Sequence, residues 1–186
     1  NLKIYNYFQV MLARLSFYPT LVYNIVMKQF TAREWYTRID DNVILGALPF
    51  YWNKESLTKT ENLKGVVSMN ESYELRWLGC AEFDWDKVGV KFLQLETTDI
   101  FESPSLTKLV KGVKFINSFQ GRGTVYVHCK AGRTRSATLV ACYLMETYRL
   151  KPDKAVEMMK EKRPHIWLRK PQLDALNLYY KSMLSK

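Results

Sequence analysis

The sequence predicts an α/β domain: a central, mostly parallel sheet flanked by helices. Three observations predict it. Short apolar, β-branched runs (Val66-Val67-Ser68-Met69, Val90 to Leu95, Val125-Tyr126-Val127) alternate with stretches whose apolar residues recur at helical spacing. The runs are continuously apolar, as in strands covered on both faces. The last run ends at Cys129, where a short loop containing Gly132 leads into a helical pattern from Ala137. In sheets of this kind the ligand crevice lies beyond the carboxyl ends of the strands.

The elements follow in order. Asn42 to Gly46 reads as a short strand, and Ser56 to Lys64 as a helix opened by Ser56 and closed before Gly65. Strands follow at Val66 to Met69 and Val90 to Leu95. Leu106, Leu109, Val110, Val113 and Ile116 place an amphipathic helix over 105–119, broken by Gly121 and Gly123. A strand is expected at 124–128 and helices at 134–148, 153–162 and 172–184, with Pro152 and Pro171 at first-turn positions.

A chain of 186 residues is one domain's worth, and 47% hydrophobic residues can fill a core. Lys and Arg outnumber Asp and Glu, 28 − 18 = +10, which favours anionic partners. No zinc-finger spacing, RNA-binding aromatic signature or basic repeat supports nucleic acid. Cys80, Cys129 and Cys142 are odd in number and widely spaced, which suggests a reducing compartment rather than a disulfide framework. Two histidines, His128 and His165, are too few for a His-based metal site. No metal and no cofactor is expected, nor any nucleotide-binding loop.

Residues 1–33 stand apart from the α/β domain at 34–186. They contain no Asp or Glu but carry Lys3, Arg14, Lys28 and Arg33 among apolar and aromatic side chains. Arg14, Pro19 and Asn24 interrupt the apolar stretch from Val10 to Met27, which argues against a transmembrane helix. No compact apolar core leads to a small-residue cleavage site as in a secretory signal, and a transit peptide would be richer in Arg and Ser. Two readings stay open: an amphipathic segment lying on a membrane surface, or a helix packed on the domain's own core.

The loop after the last strand carries the chemistry. Successive backbone N–H groups leading into a helix make a concave anion site, here formed by Lys130, Ala131, Gly132, Arg133 and Thr134. Arg135 can fork two hydrogen bonds onto phosphate oxygens. The same field lowers a thiol pKa, so Cys129 is expected to be a thiolate beneath a bound phosphate. Ser136 can donate to that sulfur and ease its departure.

His128-Cys129, Arg135-Ser136 and the five residues between them resemble the signature of the cysteine-based protein tyrosine phosphatase superfamily, dual-specificity branch. Phe17-Tyr18-Pro19-Thr20-Leu21, Trp35 to Asp40, Leu45 to Pro49 and Asn70-Glu71-Ser72-Tyr73-Glu74 extend the resemblance to the mitochondrial lipid phosphatases of that branch. It implies a protein tyrosine phosphatase-like fold and a phosphocysteine intermediate. It also implies an aspartate donor, matched by Asp99 with Glu96 and Glu102 as rivals. It further implies phosphatidylglycerophosphate as substrate, in the pathway to phosphatidylglycerol and cardiolipin, at the matrix side of the inner mitochondrial membrane.

Lys130 and Arg133 add more charge than one phosphate needs and suit an anionic phospholipid with a terminal phosphomonoester and an internal phosphodiester. The alternatives are a protein or phosphoinositide phosphatase, or a non-catalytic phosphate binder. His128 and Asn70 are expected to hydrogen-bond the loop from behind, and Ser72 departs from the related pattern. Cys142 is expected in the core, Cys80 is a candidate redox partner of Cys129, and Gln172 reads as a helix-start residue. The protein is expected to be a monomer.

Overall fold

The computed structural model describes residues 11, 12, 14–23, 25, 26, 34–99 and 102–185. The described residues within 11–26 form a first helix, α1. After it come β1 (Tyr36–Arg38), β2 (Val43–Gly46), α2 (Lys54–Thr60), β3 (Leu63–Ser68), α3 (Ser72–Leu75), α4 (Glu82–Asp86) and β4 (Lys91–Gln94). The chain continues through α5 (Leu106–Asn117), β5 (Thr124–His128), α6 (Arg135–Tyr148), α7 (Pro152–Lys162) and α8 (Lys170–Leu184).

The sheet order is β1-β2-β5-β3-β4. β5 lies at the centre, parallel to β2 on one side and β3 on the other, and all five of its residues are buried. Its alternate side chains serve opposite faces. Val125 and Val127 join Val43, Leu45, Val67 and the helices α5 to α8. Tyr126 joins Ile44, Val66, Leu57 of α2 and Trp85 of α4. α6 is buried along Arg135 to Met145, which its nearly unbroken apolar sequence requires.

Two expectations are corrected. The helix expected from Ser56 to Lys64 runs instead over Lys54–Thr60, with Ser56 inside it. Asn62 adopts φ +49° and turns the chain, so β3 begins at Leu63 and takes in Lys64 and Gly65. Gly65 is a packing glycine, not a helix stop: a Cβ there would stand 3.0 Å from both Phe115 and Phe119. The antiparallel edge strand β1 was not expected; three half-exposed residues leave little periodicity to read.

α1 buries Phe17 and Leu21 completely, packed with Leu48 and Leu75. Each such side chain contributes about 1.5–3 kcal/mol. Its opposite face exposes Leu12, Leu15, Val22, Tyr23 and Val26. The remaining residues of 1–33 lie outside the described part of the chain. Among the described residues no helix is long and apolar enough to cross a membrane, and no group of His, Cys, Asp or Glu is placed to hold a metal ion.

Candidate active site

β5 delivers Cys129 to the carboxyl edge of the sheet, and the loop from Lys130 to Thr134 turns the chain into α6. Gly132 takes φ +66°, and a Cβ there would fall 2.5 Å from the backbone of Gly46, so the loop rests directly on the end of β2.

Four successive loop carbonyls are held from outside. Lys130 O accepts from Leu48 N at 3.3 Å, and Arg133 O accepts from Trp167 N at 3.1 Å. The Arg163 guanidinium donates to Gly132 O at 3.0 Å and to Ala131 O at 3.3 Å. A trans peptide points its N–H opposite to its C=O, and the chain contains no cis bond among the described residues. The N–H groups of Ala131, Gly132, Arg133 and Thr134 therefore face away from those donors. With the start of α6 they form the anion cradle.

Cys129 is 4% exposed, and Ser136 Oγ donates to its Sγ at 3.2 Å. Burial pushes the thiol pKa up, but the Arg135 charge and the Ser136 hydrogen bonds outweigh it, so the net shift is downward from 9.0. Arg135 is fully buried and forked onto Glu74, Nη1 to Oε2 at 2.8 Å and Nη2 to Oε1 at 2.9 Å. It also donates to the carbonyls of Thr97 and Met69. Burial opposes its charge, while Asp99 and Glu74 hold it protonated.

Asp99 comes to the same place. Its Oδ1 lies 3.2 Å from Arg135 Nη2, and its Oδ2 pairs with Lys130 Nζ. Its rivals are engaged elsewhere: Glu96 accepts from Ser72 N and Gln94, and Glu102 accepts from Thr98 N, bracing the loop that carries Asp99. Lys130 turns inward, its ammonium 5.5 Å from the Phe17 ring of α1. Arg133 is half-buried at the rim. Asp99, Cys129, Lys130, Ala131, Arg133 and Thr134 line one open cleft of about 300 Å³, together with Thr20 and Tyr23 of α1 and with Trp167 and Arg169.

Two supporting roles differ from expectation. His128 is fully buried, and neither ring nitrogen makes a hydrogen bond of good geometry among the described residues, although the Cys129 backbone lies close enough to favour its protonated form. Burial lowers its pKa to about 3, with the Cys129 backbone opposing and Arg135 adding to the effect, so the ring is neutral. Asn70 is equally buried, yet its side-chain amide makes no bond to the loop; its backbone is used instead, N donating to Ser68 Oγ at 3.3 Å and O accepting from Gln94 at 2.9 Å. Backbone groups do the bracing instead: Met69 N donates to His128 O at 2.9 Å. Cys142 is core. Cys80 sits in the cluster on the other face of the sheet from Cys129, with its pKa pushed up to about 12 chiefly by burial. The three cysteines are free. Gln172 caps α8 through Arg169 N.

The roles of Glu74 toward Arg135 and of Arg163 toward the loop were not expected. Both left a signal. Glu71 and Glu74 have capping-box spacing, and Arg163 follows Ala155 and Met159 on a buried stripe, where a charge demands partners.

Comparison with known proteins agrees with this geometry. The family model for the dual specificity phosphatase catalytic domain matches residues 51–182. The chain belongs to the dual specificity phosphatase family. Within that family it is 44% identical over 179 residues to the phosphatidylglycerophosphatase and protein-tyrosine phosphatase 1 of Mus musculus, covering 94% of this chain and 93% of the relative. It is 35% identical to the phosphatidylglycerophosphate phosphatase PTPMT1 of Arabidopsis thaliana, covering 90% of this chain and 49% of that one. Among solved structures, PTPMT1 in complex with PI(5)P superposes with a TM-score of 0.79 at 43% identity, covering 82% of this chain and 98% of that one. This dual specificity phosphatase is thus a cysteine-based enzyme whose loop, thiol and arginine sit where its sequence motif implied.

Proposed function

We propose that the enzyme removes the terminal phosphate of phosphatidylglycerophosphate, yielding phosphatidylglycerol. The Cys129 thiolate attacks phosphorus, and the bond from phosphorus to the glycerol oxygen breaks as Asp99 protonates that oxygen. Water then attacks the phosphocysteine, Asp99 takes its proton, and Cys129 leaves as a thiolate eased by Ser136. Arg135 and the amides of residues 131–134 stabilise the transferring phosphoryl group.

The observation that carries this reading is the cleft itself. Lys130, Arg133, Arg135 and Arg169 gather around one thiol, and the relatives at 35–44% identity are named for this lipid. The exposed apolar face of α1 beside the cleft supports a second element of the reading: the segment 1–33 serves to rest the enzyme on an anionic membrane surface, while Phe17 and Leu21 of α1 pack on the catalytic domain of 34–186. The setting, carried from the resemblance, is the matrix side of the inner mitochondrial membrane, with the enzyme a monomer.

Phosphate release by the wild type and by Cys129→Ser is measured on phosphatidylglycerophosphate, phosphatidylinositol 5-phosphate and a phosphotyrosyl peptide. Preferred turnover of the first, abolished by Cys129→Ser, is the expected result. Preferred turnover of the peptide or inositide sinks the assignment, and no turnover of any leaves a binding module. Leu15→Glu with Val22→Glu is expected to weaken binding to cardiolipin-containing vesicles; unchanged binding removes the membrane role of α1.

A further inference from the structure

Part of the cleft lining is built by a segment that the chemistry above does not use. Residues 163–169 join α7 to α8, and the stretch 167–169 is fastened at both ends. Trp167 N donates to Arg133 O at 3.1 Å, and Thr134 Oγ1 donates to Trp167 O at 3.1 Å, so the segment is tied to the phosphate loop at two adjacent residues. Arg169 N donates to Gln172 Oε1 at 3.1 Å, and Gln172, 2% exposed, reaches Glu102 O behind the Asp99 loop.

On this fastened backbone the Arg169 guanidinium lies 4.3 Å from the Trp167 ring centroid. Stacking on an indole restricts the rotamers of a long side chain and holds its charge in place. The charge is also available. Lys130 and Arg135 face Asp99 and Glu74, whereas no described carboxylate lies within ion-pair distance of Arg169. A cation held against an aromatic plane, on the rim of a cleft whose floor already binds one phosphate, is suited to a second anionic group on the same ligand.

We propose that Arg169, presented by Trp167, is a specificity-determining subsite for a second phosphate-type anion joined by a short bridge to the phosphomonoester at Cys129. It rests on the proposed substrate and deepens it: the internal phosphodiester of the lipid head group is the group Arg169 takes. Preorganisation by the two tethers means that little conformational entropy is lost when the anion arrives. Arg169 leaves the reacting phosphorus to the loop and acts on which phosphomonoester stays there.

The test uses the full chain carrying Cys129→Ser, which can bind without turnover. Calorimetry compares glycerophosphoglycerophosphate, the deacylated head group with two anionic phosphates, with glycerol 3-phosphate, which has one. The readout is the ratio of the two affinities. In the parent the ratio is expected to favour the head group by about tenfold, the effect of one charge-assisted hydrogen bond. In Arg169→Ala it is expected to fall to about one, and Arg169→Lys is expected to restore part of it. Arg169→Gln, which keeps a polar side chain without the charge, repeats the comparison should the alanine variant not fold. An unchanged ratio, or equal losses on both ligands, overturns the subsite. Deacylated phosphatidylinositol 5-phosphate forms a further arm: a larger Arg169-dependent gain there supports the subsite and assigns it to an inositide. Hydrolysis of phosphatidylglycerophosphate by the wild type is scored separately. Its absence defeats the lipid assignment, while the affinity ratio still decides the subsite.

Discussion

Glu74 and Arg135 are joined by two hydrogen bonds of 2.8 and 2.9 Å, with neither side chain more than 1% exposed. The fork fixes the plane of the guanidinium. Removing one partner of a buried pair costs about 3–5 kcal/mol, because the other charge stays buried. Glu74→Ala is therefore expected to lower the unfolding free energy by that amount in denaturant titration and to depress kcat with it. A stable, fully active Glu74→Ala would mean that the Thr97 and Met69 carbonyls suffice to orient Arg135.

Asp99 stands between Lys130 and Arg135. As the proton donor it should matter most when the leaving group is a poor one. Asp99→Asn is expected to reduce kcat on an alkyl phosphate by about 10²–10⁴, and by much less on p-nitrophenyl phosphate, whose leaving group needs little protonation. Glu102→Gln disturbs only the brace at Thr98 and should reduce alkyl phosphate turnover far less. Equal losses on both substrates with Asp99→Asn would argue for a purely structural carboxylate.

The Cys129 thiol loses its proton below the ordinary value of 9.0, with Arg135 the largest lowering influence and Ser136 the next. Ser136→Ala deletes the hydroxyl donor to Sγ. The midpoint of alkylation rate against pH, followed with iodoacetamide, should move upward, and activity should fall most on the acid side. A midpoint that stays in place would assign the lowering to Arg135 and the backbone alone.

His128 titrates at about 3 in the fold against an ordinary 6.5. Its folded pKa is depressed, so between these values the unfolded chain binds the extra proton. This histidine therefore costs the fold nothing above pH 6.5 and destabilises it progressively as pH falls toward 3. The slope from one such group is about 1.4 kcal/mol per pH unit. His128→Gln is expected to flatten stability against pH between about 4 and 6 by roughly that amount. Parallel curves for the two proteins would show that His128 is protonated in the fold.

The sheet, its order of strands and helices and the Cys129 loop were legible because they rest on local pattern. A β-branched run, a glycine and a helical stripe announce themselves within a dozen residues. Asp99 was legible only through resemblance, since one loop carboxylate looks like another until Lys130 and Arg135 are seen to face it. Arg163 was not legible as a loop partner because it acts from 31 residues away on carbonyls, which carry no sequence signature. Glu74 meets Arg135 across 61 residues. The bond expected of Asn70 failed for a different reason: resemblance placed the residue behind the loop, but its buried amide makes no hydrogen bond there.

The donors that hold the loop carbonyls at residues 130–133 come from Leu48, Arg163 and Trp167, none of them in the loop. Whether this ring of peptides presents hydrogens or oxygens to the cleft is therefore decided elsewhere in the chain. A peptide flip would exchange a home for anions for one that repels them without altering a single residue of the motif. The sign of the site's selectivity is stored in its surroundings. A motif transplanted without Leu48, Arg163 and Trp167 would carry the thiol but not the polarity that makes it useful.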